Sequence, residues 1–297
     1  MTDRIALVGL GQMGLPIATR LAASHDVIAY DIAAERRQLA EETPRIVAVD
    51  DLAALAGSRI VVLSLPTPAI SQDVLRNLAP HLDDGALVIE TSTVLPEDVR
   101  ESGKQLKPHG VRIIDAAILS GVAQMEQGTA SLLVGGDGAD IDGAADVLQA
   151  VGGAGVTRLG PLGAGMAAKV VNNGVAHAVM VVLVEAFAMA RAEGVALDDI
   201  AQMLAREDGG LQRPLNHRIM QRMATGDFEG GMPLEAARKD STLALTMAQR
   251  SGTPLFATQA AQTVYDIAAG DGLGRSDYSA IAQLWERWAD RDLKYEG

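Results

Sequence analysis

Ile5-Ala6-Leu7-Val8-Gly9-Leu10-Gly11-Gln12-Met13-Gly14 stands near the start of the chain. Four apolar residues read as a buried strand, three glycines follow at the G-x-G-x-x-G spacing, and Leu15–Ser24 reads as a helix. In that strand–turn–helix context Gly9 permits a tight turn. Gly11 lets the backbone approach a pyrophosphate, and Gly14 lets helix and strand pack closely. The helix N-terminus offers N–H groups and a positive dipole end to phosphates. Gly9, Leu10, Gly11, Gln12, Met13 and Gly14 are therefore candidate dinucleotide-binding residues. The bland alternative is a glycine-rich turn without a ligand. Asp31 ends the next apolar run, Val27–Tyr30. A carboxylate there can accept hydrogen bonds from ribose hydroxyls and repels a 2′-phosphate, which favours NAD over NADP. Its bland alternative is a helix cap. Arg36 and Arg37 read as residues of an exposed helix face, with a phosphate contact by either as the alternative.

Outward from this loop, short apolar runs recur at Ile60–Ser64, Leu87–Glu90, Ile113–Asp115 and Leu132–Val134. They are apolar nearly throughout, as parallel strands covered on both faces are. Helical stretches such as Pro96–Leu106 lie between them, which predicts a doubly wound parallel sheet. The Gly152-Gly153-Ala154-Gly155 run reads as an αβ connection. After the breaker cluster Gly160–Gly165 no strand pattern remains. Ala164–Glu193 reads as one long, mostly apolar helix stopped by Gly194. Shorter helices are predicted at Asp198–Ala205, Arg213–Thr225, Pro233–Gly252, Pro254–Gly270 and Asp277–Asp290. The expected α/β architecture is a Rossmann-type domain over residues 1–161 and an all-α domain over 162–297. An apolar helix of this kind should be buried beneath other helices or a second subunit.

Composition narrows the function classes. The formal net charge of −13 disfavours nucleic acid and anionic membranes. Without cysteine there are no disulfides, thiolate metal sites or Cys nucleophile. The five histidines show no ligand spacing, so no metal is expected, and His177 reads as a helix contact. Asp137–Asp142 reads as a turn and helix start. The N-terminus enters a strand pattern at once and reads as lacking a secretory signal, so the cytoplasm is the expected location. Gly174–Ala190 is nearly long enough to span a bilayer, but reads as a buried helix of a soluble protein.

In Gly163-x-Gly165-x-x-x-Lys169-x-x-x-Asn173 the last two residues share a helix face. A lysine on an apolar helix has its pKa lowered by burial and can exchange a proton with a hydroxyl near neutrality. Asn173 can hold the lysine or a substrate. Spacing alone leaves open a snorkelling lysine with a helix-edge Asn.

These motifs together resemble the β-hydroxyacid dehydrogenase family, which includes 3-hydroxyisobutyrate dehydrogenases and tartronate semialdehyde reductases. The match is carried by Gly9–Pro16, Ser64-Leu65-Pro66, Glu90-Thr91-Ser92-Thr93, Gly163–Asn173 and Lys239-Asp240, in family order along essentially the whole chain. The resemblance implies NAD-linked hydride transfer to and from a small 3-hydroxy acid, with Lys169 as acid/base. It places Leu65, Pro66 and Thr93 beside the nicotinamide and brings Lys239 to the site, in a cleft between the domains. At the substrate carboxylate the sequence departs from the family's pattern. The family's Asp-Ala-Pro-Val-Ser-Gly-Gly stretch is Asp115-Ala116-Ala117-Ile118-Leu119-Ser120-Gly121 here, which puts Leu119 where the serine belongs. Leu119, Ser120, Gly121 and Asn173 are the substrate-binding candidates. Two rival readings follow: an imine reductase-like enzyme with an altered substrate loop, and a non-catalytic dinucleotide-binding module. Lys169 and Asp31 speak against the first. A homodimer or homotetramer is expected from the long apolar helix.

Overall fold

The computed structural model describes residues 4–153 and 155–295, so Ala154 of the glycine-rich connection lies outside the described residues. The chain divides into two compact units after Gly174, inside the long helix.

The first unit alternates strands and helices. In order they are β1 (Ile5–Val8), α1 (Gly14–Ala22), β2 (Val27–Tyr30), α2 (Ala34–Glu41), β3 (Ile46–Val49), β4 (Ile60–Leu63), α3 (Pro68–Leu78) and β5 (Leu87–Glu90). Then come α4 (Pro96–Leu106), β6 (Arg112–Ile118), α5 (Val122–Glu126), β7 (Ser131–Gly135), α6 (Gly138–Gly143), α7 (Ala145–Val151) and β8 (Gly155–Gly160). The strands form one sheet in the order β3-β2-β1-β4-β5-β6-β7-β8. All neighbours are parallel except β6 and β7. The chain leaves β1 in one direction through β2 and β3, then returns to its other side through β4. That reversal is the topological switch point, where ligands of such sheets bind.

The continuous apolar runs have a simple cause. Ile5 and Leu7 of β1 face one core with Ile17 and Leu21 of α1. Ala6 and Val8 face the other with Leu75 and Leu78 of α3. Both faces are covered, so neither set of alternate residues can be polar. The register aligns Val8 with Leu63, Leu63 with Glu90 and Glu90 with Asp115. Gly9, Ser64 and Thr91 therefore leave the sheet along one edge, while β6 runs on to Ile118 beside β7.

Two strands lie outside the predicted runs: β3, Ile46-Val47-Ala48-Val49, although it is apolar throughout, and β8, which is not an apolar run. β3 is an edge strand with Val47 59% exposed, and β8 is an edge strand of sequence Gly-Val-Thr-Arg-Leu-Gly. Edge strands need little apolar character, because one side has no partner. The Asp137–Asp142 expectation holds: Asp137 caps α6, its carboxylate accepting from Ala139 N at 2.9 Å.

The long helix α8 (Ala164–Ala192) starts in the first unit and ends in the second. The second unit continues with α9 (Leu197–Ala205), α10 (Leu234–Ser251), α11 (Phe256–Gly270) and α12 (Ala282–Ala289). Among the described residues it contains no strand, only an isolated bridge between Pro233 and Asp277. The helix expected over Arg213–Thr225 is instead a π-helical segment, Pro214–Ile219, and a 3₁₀ turn, Met223–Thr225. Pro214 opens it and Gly226, at φ 70°, ends it. The helix expected from Asp277 begins as a 3₁₀ turn, capped by Asp277, before α12.

Within the chain α8 is not covered by the other helices all round. Val171, Val175, Met180 and Val184 are 56–66% exposed, and His177 is exposed too. Among the described residues α8 is the one helix long and apolar enough to cross a membrane. One side of it is nevertheless tied to its own unit. The buried Glu185 carboxylate accepts from the N–H groups of Phe256, Ala257 and Thr258 and from Thr258 Oγ1 at 2.5–3.0 Å. These bonds cap α11 and hold the Glu185 pKa below the usual carboxylate range, against the opposing effect of desolvation.

Candidate active site

The turn after β1 is built as its glycines require. Gly9 has φ +96°, and a Cβ there would lie 2.2 Å from Ser64 O. A Cβ on Gly14 would lie 1.9 Å from Gly9 O. At Gly11 a Cβ would meet nothing within 4 Å, so that backbone is open to a ligand. A cavity of about 520 Å³ lies here, at the switch point. Gly9, Gly11, Gln12, Met13, Gly14, Asp31, Leu65 and Pro66 all line it. Leu10 does not: its side chain is buried, and its N–H donates to Asp31 Oδ2 at 2.6 Å.

Asp31 has more to do than either sequence reading implied. Its other oxygen accepts from Ala33 N at 2.9 Å, at the start of α2. The carboxylate thus fixes the glycine turn and α2 while its remaining lone pairs face the cavity. Arg36 corrects the expectation of an exposed helix face. Its guanidinium donates to Leu10 O at 2.5 Å and Gly11 O at 2.9 Å. Arg36 lines the same cavity, so it holds both carbonyls of the loop from the ligand side. Arg37 similarly donates to Asp31 O and Ile32 O. Sequence could not show this, because both contacts join residues across a loop.

Further along the edge, Ser64-Leu65-Pro66 follows β4 and Thr91-Ser92-Thr93 follows β5. Leu65 N donates to Ser92 Oγ at 2.8 Å, so the two turns are joined. Thr93 is exposed and is not part of the cavity lining.

β6 organises the lysine. Asp115 is fully buried. One carboxylate oxygen accepts from Gly163 N at 2.6 Å and the other from Met166 N at 2.7 Å. This caps the start of α8, with the dipole favouring the negative charge. A Cβ on Gly165 would lie 2.8 Å from Asp115 Oδ2, and one on Gly135 2.6 Å from Oδ1. Gly163 is required by its φ of +93°, and Gly165 by the close approach of Leu133 O, 2.2 Å from where a Cβ would lie, as well as by Asp115. Desolvation outweighs the hydrogen bonds and pushes the Asp115 pKa up.

Lys169 lies one turn further along α8. Its Nζ donates to Ile118 O at 2.5 Å, on the strand that carries Asp115. Burial lowers its pKa from the ordinary 10.5. Among the described residues no carboxylate forms an ion pair with it. Half-buried Asn173 follows one helical turn on.

The Ile118 carbonyl places the lysine head beside the Leu119-Ser120-Gly121 loop. Leu119 is 38% exposed. Ser120 Oγ donates to Leu119 O at 2.6 Å and accepts from Ser131 N at 3.1 Å. That hydroxyl therefore shapes its own loop. Lys239, on α10 of the second unit, is exposed and pairs with Asp240 at 3.2 Å. No group of three or more metal-ligating side chains occurs among the described residues.

Comparison with known proteins draws these parts together. Residues 4–160 match the NAD binding domain of 6-phosphogluconate dehydrogenase. Residues 163–285 match a domain described as NAD-binding of NADP-dependent 3-hydroxyisobutyrate dehydrogenase. The mitochondrial 3-hydroxyisobutyrate dehydrogenase of Drosophila melanogaster is 30% identical, over 95% of this chain and 89% of its own length. The chain belongs to the β-hydroxyacid dehydrogenase family. As a member it is an NAD-dependent oxidoreductase that acts on a hydroxyl group, as its motifs implied. The NAD-dependent L-serine dehydrogenase of Pseudomonas aeruginosa is 28% identical, over 95% of this chain and 98% of its own. An imine reductase from Myxococcus stipitatus has a similar structure, with TM-score 0.86 and 19% identity over 96% of this chain and 100% of its own. That likeness shows the shared fold alone.

NAD fits the residues present. The backbone at Gly11 is open, the start of α1 faces the cavity, and the Asp31 carboxylate lines its wall. Those are the partners that a pyrophosphate and an adenosine ribose need.

Proposed function

We propose that the chain interconverts a small 3-hydroxy acid and its semialdehyde or keto acid, with Lys169 as the acid/base. The observation that carries this reading is the lysine itself. It is half-buried, has no carboxylate partner among the described residues, and has its head held by Ile118 O beside the altered loop. A lysine so placed loses its proton more readily than one in water. In oxidation, neutral Lys169 takes the hydroxyl proton; in reduction, its ammonium returns it. Bound NAD supplies the hydride acceptor. The cofactor would rest on Gly9–Gly14 and Asp31, with Leu65, Pro66 and Thr93 toward the nicotinamide. For Lys239 the support is the Lys239-Asp240 motif alone. Substrate contacts are assigned to Leu119, Ser120, Gly121 and Asn173. Because Ser120 Oγ is engaged within the loop, backbone N–H groups are the donors offered to a carboxylate there.

A panel of small hydroxy acids and cyclic imines, followed by nicotinamide absorbance, tests this reading. Turnover is expected with a 3-hydroxy acid and NAD. Reduction of imines with NADPH, and no oxidation of any hydroxy acid, would support the imine reductase alternative instead.

The exposed face of α8 supports a homo-oligomer. Among the described residues the buried cluster of the second unit holds Leu234, Ala268 and Leu284, with partly buried side chains such as Val264, Tyr265 and Ile281 against it, a small core for a helical domain. A second copy covering Val175, Met180 and Val184 would add to it. Sedimentation equilibrium should give a dimer or tetramer mass; a monomer at micromolar concentration would count against it. The cytoplasm, where NAD and small hydroxy acids are both at hand, is the location that goes with this reading.

A further inference from the structure

Glu90 ends β5 and is 2% exposed. A carboxylate at that depth is costly unless its oxygens are used. Both are used here. One oxygen accepts from Ser71 Oγ on α3, and the other from Ser92 N at 2.9 Å. Ser92 Oγ in turn accepts from Leu65 N at 2.8 Å. Thr91, between Glu90 and Ser92, binds Leu63 O through both its N–H and its Oγ1, at 3.0 Å and 2.5 Å. The carboxylate therefore joins three segments. These are the turn after β4 with Leu65 and Pro66, the turn after β5 with Ser92 and Thr93, and the start of α3. The glycine loop and Asp31 take no part in this network.

We infer that Glu90 is a positioning residue for the nicotinamide half of the cofactor: its carboxylate fixes the Leu65-Pro66 and Ser92-Thr93 turns against which that half would rest. This inference rests on the reading of Leu65, Pro66 and Thr93 as the nicotinamide side. The glycine loop and Asp31, which would hold the pyrophosphate and the adenosine ribose, share a cavity with Leu65 and Pro66 but are held by bonds outside this network, so the two halves can be tested separately. A side chain that kept the fold but lost the acceptors would leave Ser71 Oγ and Ser92 N without their partner. The turns would then sample more than one arrangement, and only contacts to them would weaken. Acceptor geometry, rather than charge, is the operative feature. Gln preserves it, because its oxygen can accept from Ser92 N while its NH₂ donates to Ser71 Oγ.

The test compares the binding of NAD with that of ADP-ribose, which lacks the nicotinamide, by calorimetry on the full chain. Glu90→Leu should weaken NAD by about tenfold and ADP-ribose by less than about twofold. Glu90→Gln should restore most of the wild-type preference for NAD. Ser71→Ala, a milder change that serves if Glu90→Leu fails to fold, should move the ratio the same way by about threefold. An unchanged ratio in the folded variants would overturn the inference, as would equal weakening of both ligands. Neither measurement uses turnover, so a failure here is separate from a failure of Lys169 as acid/base. Failure of wild-type NAD to outbind ADP-ribose would instead strike the assignment of the nicotinamide side, and the inference with it.

Discussion

Lys169→Ala should lower kcat/KM for the hydroxy acid by about 10³-fold while NAD binds within about twofold of wild type. The two effects separate for a structural reason. The dinucleotide cavity is lined by the glycine loop, Asp31 and the Leu65-Pro66 turn, and Lys169 is not among its lining residues. Loss of the side chain removes one hydrogen bond to Ile118 O and leaves the helix cap at Asp115 in place. The wild-type pH profile should carry the same signature. Oxidation needs neutral lysine, so its rate should rise as pH rises through the Lys169 pKa. Burial brings that rise below the ordinary 10.5. Reduction needs the ammonium and should fall over the same range. Both limbs should be absent from the residual activity of Lys169→Ala. Steady-state rates in both directions, with calorimetry for NAD, check these outcomes.

Asp115→Ala should have the largest effect on stability. It leaves Gly163 N and Met166 N unpaired at a buried helix start. Each costs about 1–3 kcal/mol, offset in part by relief of carboxylate desolvation, so a net loss of about 3 kcal/mol is expected. That corresponds to a fall of about 10 °C in Tm by calorimetry. Asp115→Asn should rescue little, because its NH₂ would oppose one of the two N–H donors. Since Asp115 sets the start of α8, both variants should also lose turnover through displacement of Lys169. The sign of the pH dependence is unusual for a capping carboxylate. Its folded pKa lies above the unfolded value of 3.8, so its contribution is full below 3.8 and is lost as pH rises through the folded pKa. A Tm unchanged in Asp115→Ala would refute this view of the helix start.

The fold was legible where the chain is covered on both faces. β1, β2 and β5 match their apolar runs residue for residue, because buried parallel strands leave no room for polar residues. β8 was not legible, since an edge strand can carry polar residues such as Thr157, whereas β3 is an apolar run, Ile46–Val49, that the predicted strands omit. The glycine turn was legible as a local feature, with each glycine explained by its own neighbours. Long-range partners were not. Nothing near Asp115 in sequence announces Gly163 and Met166, and nothing near Arg36 announces the carbonyls of Leu10 and Gly11. Nothing near Ser120 in sequence announces that its hydroxyl accepts from Ser131 N. The apolar pattern of α8 implied burial beneath other helices or a second subunit, and within the chain Val171, Val175, Met180 and Val184 stay exposed.

Proton transfer by Lys169 is tested most directly by chemical rescue. Small primary amines of graded pKa are added to NAD-saturated Lys169→Ala during hydroxy-acid oxidation. The expected result is a rate that rises with the concentration of neutral amine and with its basicity, because the cavity left by the lysine admits a replacement base. A rate indifferent to every amine, in a variant that binds NAD normally and keeps near wild-type turnover, would contradict the assignment.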